Sequence, residues 1–304
     1  MHRPSRLALV SAFLTLYLVW GSTYLGIRIG IETLPPFLLA GGRFVVAGLA
    51  LMIWSRARGT PLPTPREWLG VAGVGTCLVL LSNVPIVWAE RRIASGVVAL
   101  FSASSPLMIA FFNGRRTGTV LGRRRAMGLA LGTVGLVLLA SATFAAVPQP
   151  LPLVVMLLAS FSWSIGSTYG RDWGQPRDLL MASAGQMLAG GLLAMTVSLV
   201  SGELSHLDIH AVSARSMFAW GYLALFGSLI AYPVFQWLLG VADATSVASY
   251  TYVNPIIALT LGIVFVGEQV SVRMLVATAV LLPAVGLVVT GGGKPVLPET
   301  KIEQ

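Results

Sequence analysis

The chain has 304 residues, of which 56% are hydrophobic and 10% charged, with a mean hydropathy of +0.82. A soluble domain carries about 25% charged residues, so a chain this apolar cannot cover itself in polar surface, and lipid is its expected solvent. The net charge of +9 resides in short segments between apolar runs, which is the footprint of membrane topology rather than of nucleic-acid binding.

Hydrocarbon offers backbone N–H and C=O groups no partner, so the spanning element is expected to be a helix of about 20 residues. In chain order, helices are expected over 7–27, 34–55, 67–88, 95–113, 124–144, 151–169, 179–201, 216–238, 246–266 and 273–291. Arg3 and Arg6 ahead of the apolar Leu7–Trp20 have the look of a signal peptide. No small-residue cleavage site ends that run, and it reads as a retained first span. Pro35-Pro36, the Pro61/Pro63/Pro65 run, Arg91-Arg92, the basic Arg115–Arg125 stretch, Pro148/Pro150/Pro152 and Gly174–Pro176 separate the spans, and Glu203–Arg215 is the longest candidate external loop. Fourteen Lys and Arg fall on the side of the N-terminus and five on the other, which puts both termini in the cytoplasm.

Polar and aromatic residues deep in the spans are the candidate site. Tyr17, Trp20 and Tyr24 belong to span 1, with the last two on one face; Asn83 belongs to span 3; Trp163, Ser164 and Ser167 to span 6. Tyr232 and Gln236 form an i, i+4 pair in span 8, and Tyr250 and Asn254 another in span 9. A buried Tyr or Trp needs a partner for its O–H or N–H, and a wet central cavity supplies one. Arg43 is expected near midplane, where a charge costs at least ~2.5 kcal/mol. A structural role facing helix carbonyls or a wet vestibule is preferred for it, with a hold on a substrate carboxylate as the rival. Pro85, Pro106 and Pro255 are expected bends with gating or structural roles. Gly128-x-x-x-Gly132 is expected to serve packing within the chain, with a dimer face as the rival. No acidic residue sits at midspan: Glu90 and Glu268 lie at span ends, where solvated charge is the expected role, and this argues against proton coupling.

His2, His206 and His210 all lie outside the spans, so the internal serines lack an imidazole base, and no metal cluster or phosphate-cradling motif is present. An intramembrane enzyme is thereby disfavoured, and no cofactor is expected. Cys77 lies alone in an apolar span, so it reads as packing.

The two halves match each other. Gly21-Ser22-Thr23-Tyr24 returns as Gly166-Ser167-Thr168-Tyr169, Val98-Ala99 as Val247-Ala248, and Gly135-Leu136-Val137 as Gly286-Leu287-Val288, at offsets of 145, 149 and 151 residues. A repeat with an odd number of spans inserts its second copy upside down. The expected fold class is therefore an all-α integral membrane protein with ten transmembrane helices, built as two inverted five-helix repeats over residues 1–146 and 147–304.

Val19-Trp20-Gly21-Ser22-Thr23-Tyr24, Pro35-Pro36 with Ala40-Gly41-Gly42-Arg43-Phe44, Ser105-Pro106, Ala248–Pro255 and Gly267-Glu268 together resemble the EamA family of the drug/metabolite transporter superfamily, especially its YedA- and YddG-like exporters. The resemblance covers almost the whole chain. It implies cytoplasmic termini in a bacterial-type inner membrane and efflux of amino acids, related metabolites or drugs. It also suggests that Glu268 has a structural or gating role. One departure stands out: family members often carry Gly-Glu after both span 4 and span 9, whereas the first copy here reads Gly114-Arg115. The expected function is export of small metabolites, amino acids first among them, through an aromatic-lined cavity by alternating access, with a multidrug exporter as the alternative. The expected partners are a small-molecule substrate and the bilayer, with no nucleic acid, and a monomer is expected ahead of a dimer.

Overall fold

The computed structural model describes residues 4–93, 95–118, 121–143, 150–266 and 272–290, and among these every regular element is helical. The helices are α1 (Arg6–Gly30), α2 (Pro36–Ala57), α3 (Pro65–Glu90), α4 (Ser95–Ser102), α5 (Ser105–Thr117), α6 (Arg123–Thr143), α7 (Pro150–Tyr169), α8 (Leu179–Val200), α9 (Ala214–Val241), α10 (Ala244–Val247), α11 (Tyr250–Val266) and α12 (Val272–Thr290). Six of them, α1, α2, α3, α7 with its trailing turn, α8 and α9, are long and apolar enough to cross a membrane. The Gly267-Glu268 motif lies outside the described residues.

The starts follow local chemistry. Pro36 and Pro65 occupy first-turn positions where a missing N–H costs nothing. Thr64 and Glu67 form a reciprocal capping box, and the Asp178 carboxylate accepts from the Met181 N–H at 2.8 Å. Glu203, expected in a free external loop, instead bonds back to the start of α2. Its two oxygens accept from the N–H groups of Phe37 (3.1 Å) and Leu38 (3.0 Å), where the helix dipole favours negative charge.

Three spans are not regular α-helix. Wider π turns occupy Leu16–Trp20 in α1, Thr76–Asn83 in α3 and Leu223–Ile230 in α9. The last two end just before Pro85 and Pro233. A proline ring clashes with the carbonyl four residues back, and a turn widened by one residue moves that carbonyl aside.

The expected single helices over 95–113 and 246–266 are each broken in two. Between α4 and α5 the break precedes Pro106, whose absent N–H leaves the Ser102 carbonyl free. Ser105 Oγ donates to it instead, at 2.7 Å. The second break falls at Ala248-Ser249, about two turns before Pro255, with Ser249 Oγ donating to the Ser246 carbonyl at 2.7 Å.

Glycines set the closest helix pair, α2 with α8. A Cβ at Gly41 would sit 2.9 Å from the Met195 amide nitrogen and 3.1 Å from the Gly191 carbonyl. One at Gly191 would sit 2.9 Å from the Val45 amide nitrogen and 3.1 Å from the Gly41 carbonyl. The backbones touch reciprocally, with no side chain between them. In α6, Gly128 faces Leu287 and Val288 and Gly132 faces the Tyr252 ring, so this small-xxx-small pair packs within the chain.

The half of the bundle that holds the start of α1 is a packed apolar core. It includes Leu16, Leu51, Leu78, Met187 and Leu238, each no more than 7% exposed. Polar ties close the same end. Asp243 caps α10 through the Thr245 and Ser246 N–H groups (2.9 and 3.1 Å), accepts from Asn113 Nδ2 at 2.9 Å and pairs with Arg125 at 3.0 Å. Loss of a helix cap costs ~1 kcal/mol, and a hydrogen bond to a charged group contributes ~1.5–3 kcal/mol. Asp243→Ala is therefore expected to lower the thermal unfolding midpoint in detergent by several degrees, while Glu32→Ala, at an exposed 3.8 Å pair with Arg215, leaves it unchanged.

Candidate functional site

Above the packed half, the irregular spans surround a cavity of about 690 Å³, counted out to its mouth. Trp20, Tyr24 and Ile27 of α1 form one wall, and Met156, Ser160 and Trp163 of α7 another. Arg43 and Phe44 of α2, Ser82 and Asn83 of α3, and Ser102 and Ser105 at the α4–α5 break contribute further sides. Gly227 and Tyr232 of α9 and Tyr250, Thr251 and Asn254 of α11 complete the lining.

The floor is aromatic. The ring of Trp20 lies 5.5 Å from Trp163, 5.0 Å from Phe235 and 4.9 Å from Tyr250, in edge or tilted contacts that such pairs prefer. Trp20 Nε1 donates to the Gly227 carbonyl at 3.0 Å, inside the π segment of α9. Tyr17 lies in this floor rather than in the lining, with its hydroxyl 2.8 Å from Ser249 Oγ.

Eight residues singled out from the sequence line the cavity: Trp20, Tyr24, Arg43, Asn83, Trp163, Tyr232, Tyr250 and Asn254. The others meet different partners. Ser164 and Ser167 donate to the Ser160 and Trp163 carbonyls of their own helix, both at 2.7 Å. Gln236 Nε2 donates to Gln186 Oε1 at 2.8 Å, beside the Tyr232 hydroxyl at 2.9 Å. Gln186, the one amide of α8, organises this polar knot, and the sequence reading passed over it although a midspan glutamine in an apolar helix marks an interhelical bond. Also missed were Phe235, lost among aromatic neighbours, and Ser102 and Ser105, whose i, i+3 spacing puts both on one face.

Three lining residues carry buried polar atoms with no hydrogen-bond partner among the described residues: Arg43 Nε, Trp163 Nε1 and Asn254 Oδ1. Arg43 is 3% exposed; its Nη2 donates to Asn83 Oδ1 at 2.9 Å and its guanidinium lies 4.6 Å from the Phe44 ring centroid. Among the described residues it bonds no helix carbonyl. Trp163 and Asn254 lie beside the hydroxyls of Tyr250 and Tyr24, so Arg43 Nε is the donor left to whatever fills the space.

Glu90 corrects the expectation of solvated charge. It is fully buried at the end of α3, neither carboxylate oxygen has a hydrogen-bond partner among the described residues, and its carbonyl accepts from Arg28 Nη1 at 2.7 Å. Its place beside Arg91-Arg92 reads as loop, but α1, α2, α4 and α7 pack around that turn. An acidic residue is thus buried within the protein at a span end, rather than solvated in a loop.

A model of the EamA-like transporter family matches residues 7–141 and again residues 151–290. The chain is 37% identical to the uncharacterized inner membrane transporter YedA of Escherichia coli K12, over 94% of this chain and 92% of that protein. It is 29% identical to protein PecM of Dickeya dadantii, over 89% and 88%. One solved crystal structure superposes with a TM-score of 0.73 at 20% identity, covering 93% of this chain and 96% of that one, a likeness of fold. The all-helical bundle, the midspan cavity and the twofold family match together make this chain a member of the EamA-like transporter family, a membrane transporter of the drug/metabolite transporter superfamily and not an enzyme.

Proposed function

We propose that the protein exports small zwitterionic metabolites, amino acids foremost, from the cytoplasm through the aromatic cavity by alternating access. The observation that carries this reading is the buried, unpaired Nε of Arg43 on the cavity wall, with Trp163 Nε1 and Asn254 Oδ1 beside it held only by neighbouring Tyr250 and Tyr24. Arg43 Nε and Trp163 Nε1 are donors suited to a carboxylate, and Asn254 Oδ1 is an acceptor suited to an ammonium group. The rings of Trp20 and Tyr250 offer faces to an apolar or aromatic side chain. Trp20, Tyr24, Asn83, Trp163, Tyr232, Tyr250 and Asn254 are the proposed substrate contacts. Tyr17, Ser164, Ser167 and Gln236 support them from behind. Pro85, Pro106, Pro255 and Glu268 keep proposed gating or structural roles.

The same reading takes the bundle as ten spans, with α4–α5 and α10–α11 each forming one, in two inverted five-helix repeats over 1–146 and 147–304 and with both termini cytoplasmic. Support comes from the two family matches and from the π segments at Thr76–Asn83 and Leu223–Ile230, which start 147 residues apart. The reciprocal Gly41 and Gly191 contacts fit a twofold relation between spans 2 and 7.

The test is counterflow of radiolabelled amino acids in proteoliposomes. Wild type is expected to exchange at least one amino acid, and Trp163→Phe, which keeps a ring but loses the N–H, to exchange it about tenfold more slowly, the effect of one hydrogen bond to a charged group. Absence of exchange for every amino acid overturns the reading. The aromatic floor also favours the rival, a multidrug exporter of organic cations; ethidium efflux from the same vesicles without amino-acid exchange establishes it.

A further inference from the structure

Glu90 has no role in the substrate contacts proposed above, and its setting is costly. An ionised carboxylate removed from water without partners carries a penalty of several kcal/mol, and buried acids on spanning helices mark ion or proton paths. Glu90 is fully buried, both of its oxygens lack hydrogen-bond partners among the described residues, and no ion pair to it forms there.

Every ionisable group that bears on it can be named. From α1 come Arg28, anchored by Nη1 on the Glu90 carbonyl, and Tyr24; from α2 comes Arg43. Arg91 and Arg92 follow it in the chain but are exposed, and Arg92 is stacked 3.8 Å from the Trp88 ring centroid. Neither α4 nor the stretch of α7 lining the cavity contains an ionisable residue. Arg28 is therefore fixed at the Glu90 turn and Arg43 projects from a helix packed on it, and neither makes an ion pair with the carboxyl group among the described residues. Arg43 also keeps an unpaired Nε, and it lines the cavity. Arg43 thus lines the space for a substrate from α2, the helix that also packs on the end of α3 where the buried acid lies.

We propose that Glu90 is a proton-carrying site that couples substrate movement to proton counter-movement through Arg43. In the conformation described, Glu90 holds a proton taken from water and is a neutral acid. When Arg43 or Arg28 closes on it, the O–H bond breaks, the proton passes to water on the other side, and the carboxylate is held by the guanidinium. Only a proton is exchanged, so charge and atoms balance over the cycle.

The proposal rests on the transport reading for its physiological role, and the experiment separates the two. In lipid at neutral pH, infrared spectra of wild type are expected to show a protonated-carboxyl C=O band that Glu90→Gln removes. In proteoliposomes, one proton per neutral substrate gives about tenfold accumulation per pH unit across the membrane. Wild type is expected to approach that ratio for an amino acid that it exchanges in counterflow. Glu90→Gln is expected to keep counterflow and accumulate to a ratio of about one, and Glu90→Asp to keep pH-driven accumulation. A wild type without the band, a band that survives in Glu90→Gln, or unchanged pH-driven accumulation in that variant overturns the proton site. Absence of counterflow in wild type overturns the amino-acid reading instead and leaves the infrared result to decide on Glu90.

Discussion

Arg43→Gln is expected to reduce amino-acid counterflow at least a hundredfold while leaving the folded protein as stable as wild type or more so. The two effects separate because the guanidinium is costly to bury and cheap to lose. A charge at that depth costs ~2.5 kcal/mol or more, and the described residues repay it with one hydrogen bond, from Nη2 to Asn83 Oδ1 at 2.9 Å, and the Phe44 ring at 4.6 Å. Asn83 keeps its second bond, from Nδ2 to the Leu78 carbonyl at 2.8 Å, so the variant leaves few orphaned groups. A charge-assisted bond contributes ~1.5–3 kcal/mol, about ten- to a hundredfold in affinity, and Arg43 offers a carboxylate more than one N–H. Arg43→Lys is expected to rescue poorly, because a point-like ammonium cannot hold Asn83 and a substrate in two directions. Counterflow rates, normalised to folded protein by size-exclusion chromatography, measure the first effect, and thermal unfolding in detergent the second. Counterflow at the wild-type rate in Arg43→Gln removes the carboxylate site.

Gly41→Val is expected to prevent folding rather than function. Its side chain would begin 2.9 Å from the Met195 amide nitrogen, a backbone atom that no rotamer change can move. Relief requires separating α2 from α8, and overpacking of this kind costs ~1–3 kcal/mol or more. The matching face at Gly191 would open with it, because the two contacts are reciprocal. The yield of monodisperse protein is expected to fall about tenfold or more. Gly221→Ala, where nothing lies within 4 Å of the new Cβ, is expected to behave as wild type.

The features most legible in the sequence were those written locally. Pro36, Pro65, Thr64 with Glu67, and Asp178 mark helix starts by their own chemistry, and the structure begins helices there. Depth along a span, which is countable from a helix end, pointed to Trp163, Tyr232 and Tyr250, which line the cavity, and equally to Tyr17, which lies beneath it. The π segments were not legible: a span that is apolar on every face has no periodicity for an inserted residue to disturb, and only Pro85 and Pro233 hinted at them. The breaks before Pro106 and Pro255 were readable as bends, but whether the chain kinks or starts a new helix depends on local bonds such as that of Ser105 Oγ to the carbonyl freed by Pro106. Glu90 was invisible for a different reason. Its neighbours in sequence are two arginines, whereas its neighbours in space come from four other helices. Gln236 faced Gln186 rather than the cavity because their pairing is also a tertiary fact.

The contrast between α2–α8 and the helices around the cavity has a mechanical consequence. The glycine seam at Gly41, Gly48 and Gly191 puts backbone against backbone over two turns, which makes that pair a keel: stiff, and unable to bend without opening a void. The spans that touch the cavity from α1, α3 and α9 are instead interrupted where their ladders widen, and those from α4–α5 and α10–α11 where they stop. Of the helices that line the cavity, α2 and α7 are continuous and the others are interrupted, so its wall is rigid on one side and compliant on the other. A load placed in the cavity bears directly on the keel through Arg43 and Phe44 of α2, and the soft joints bend against that fixed side.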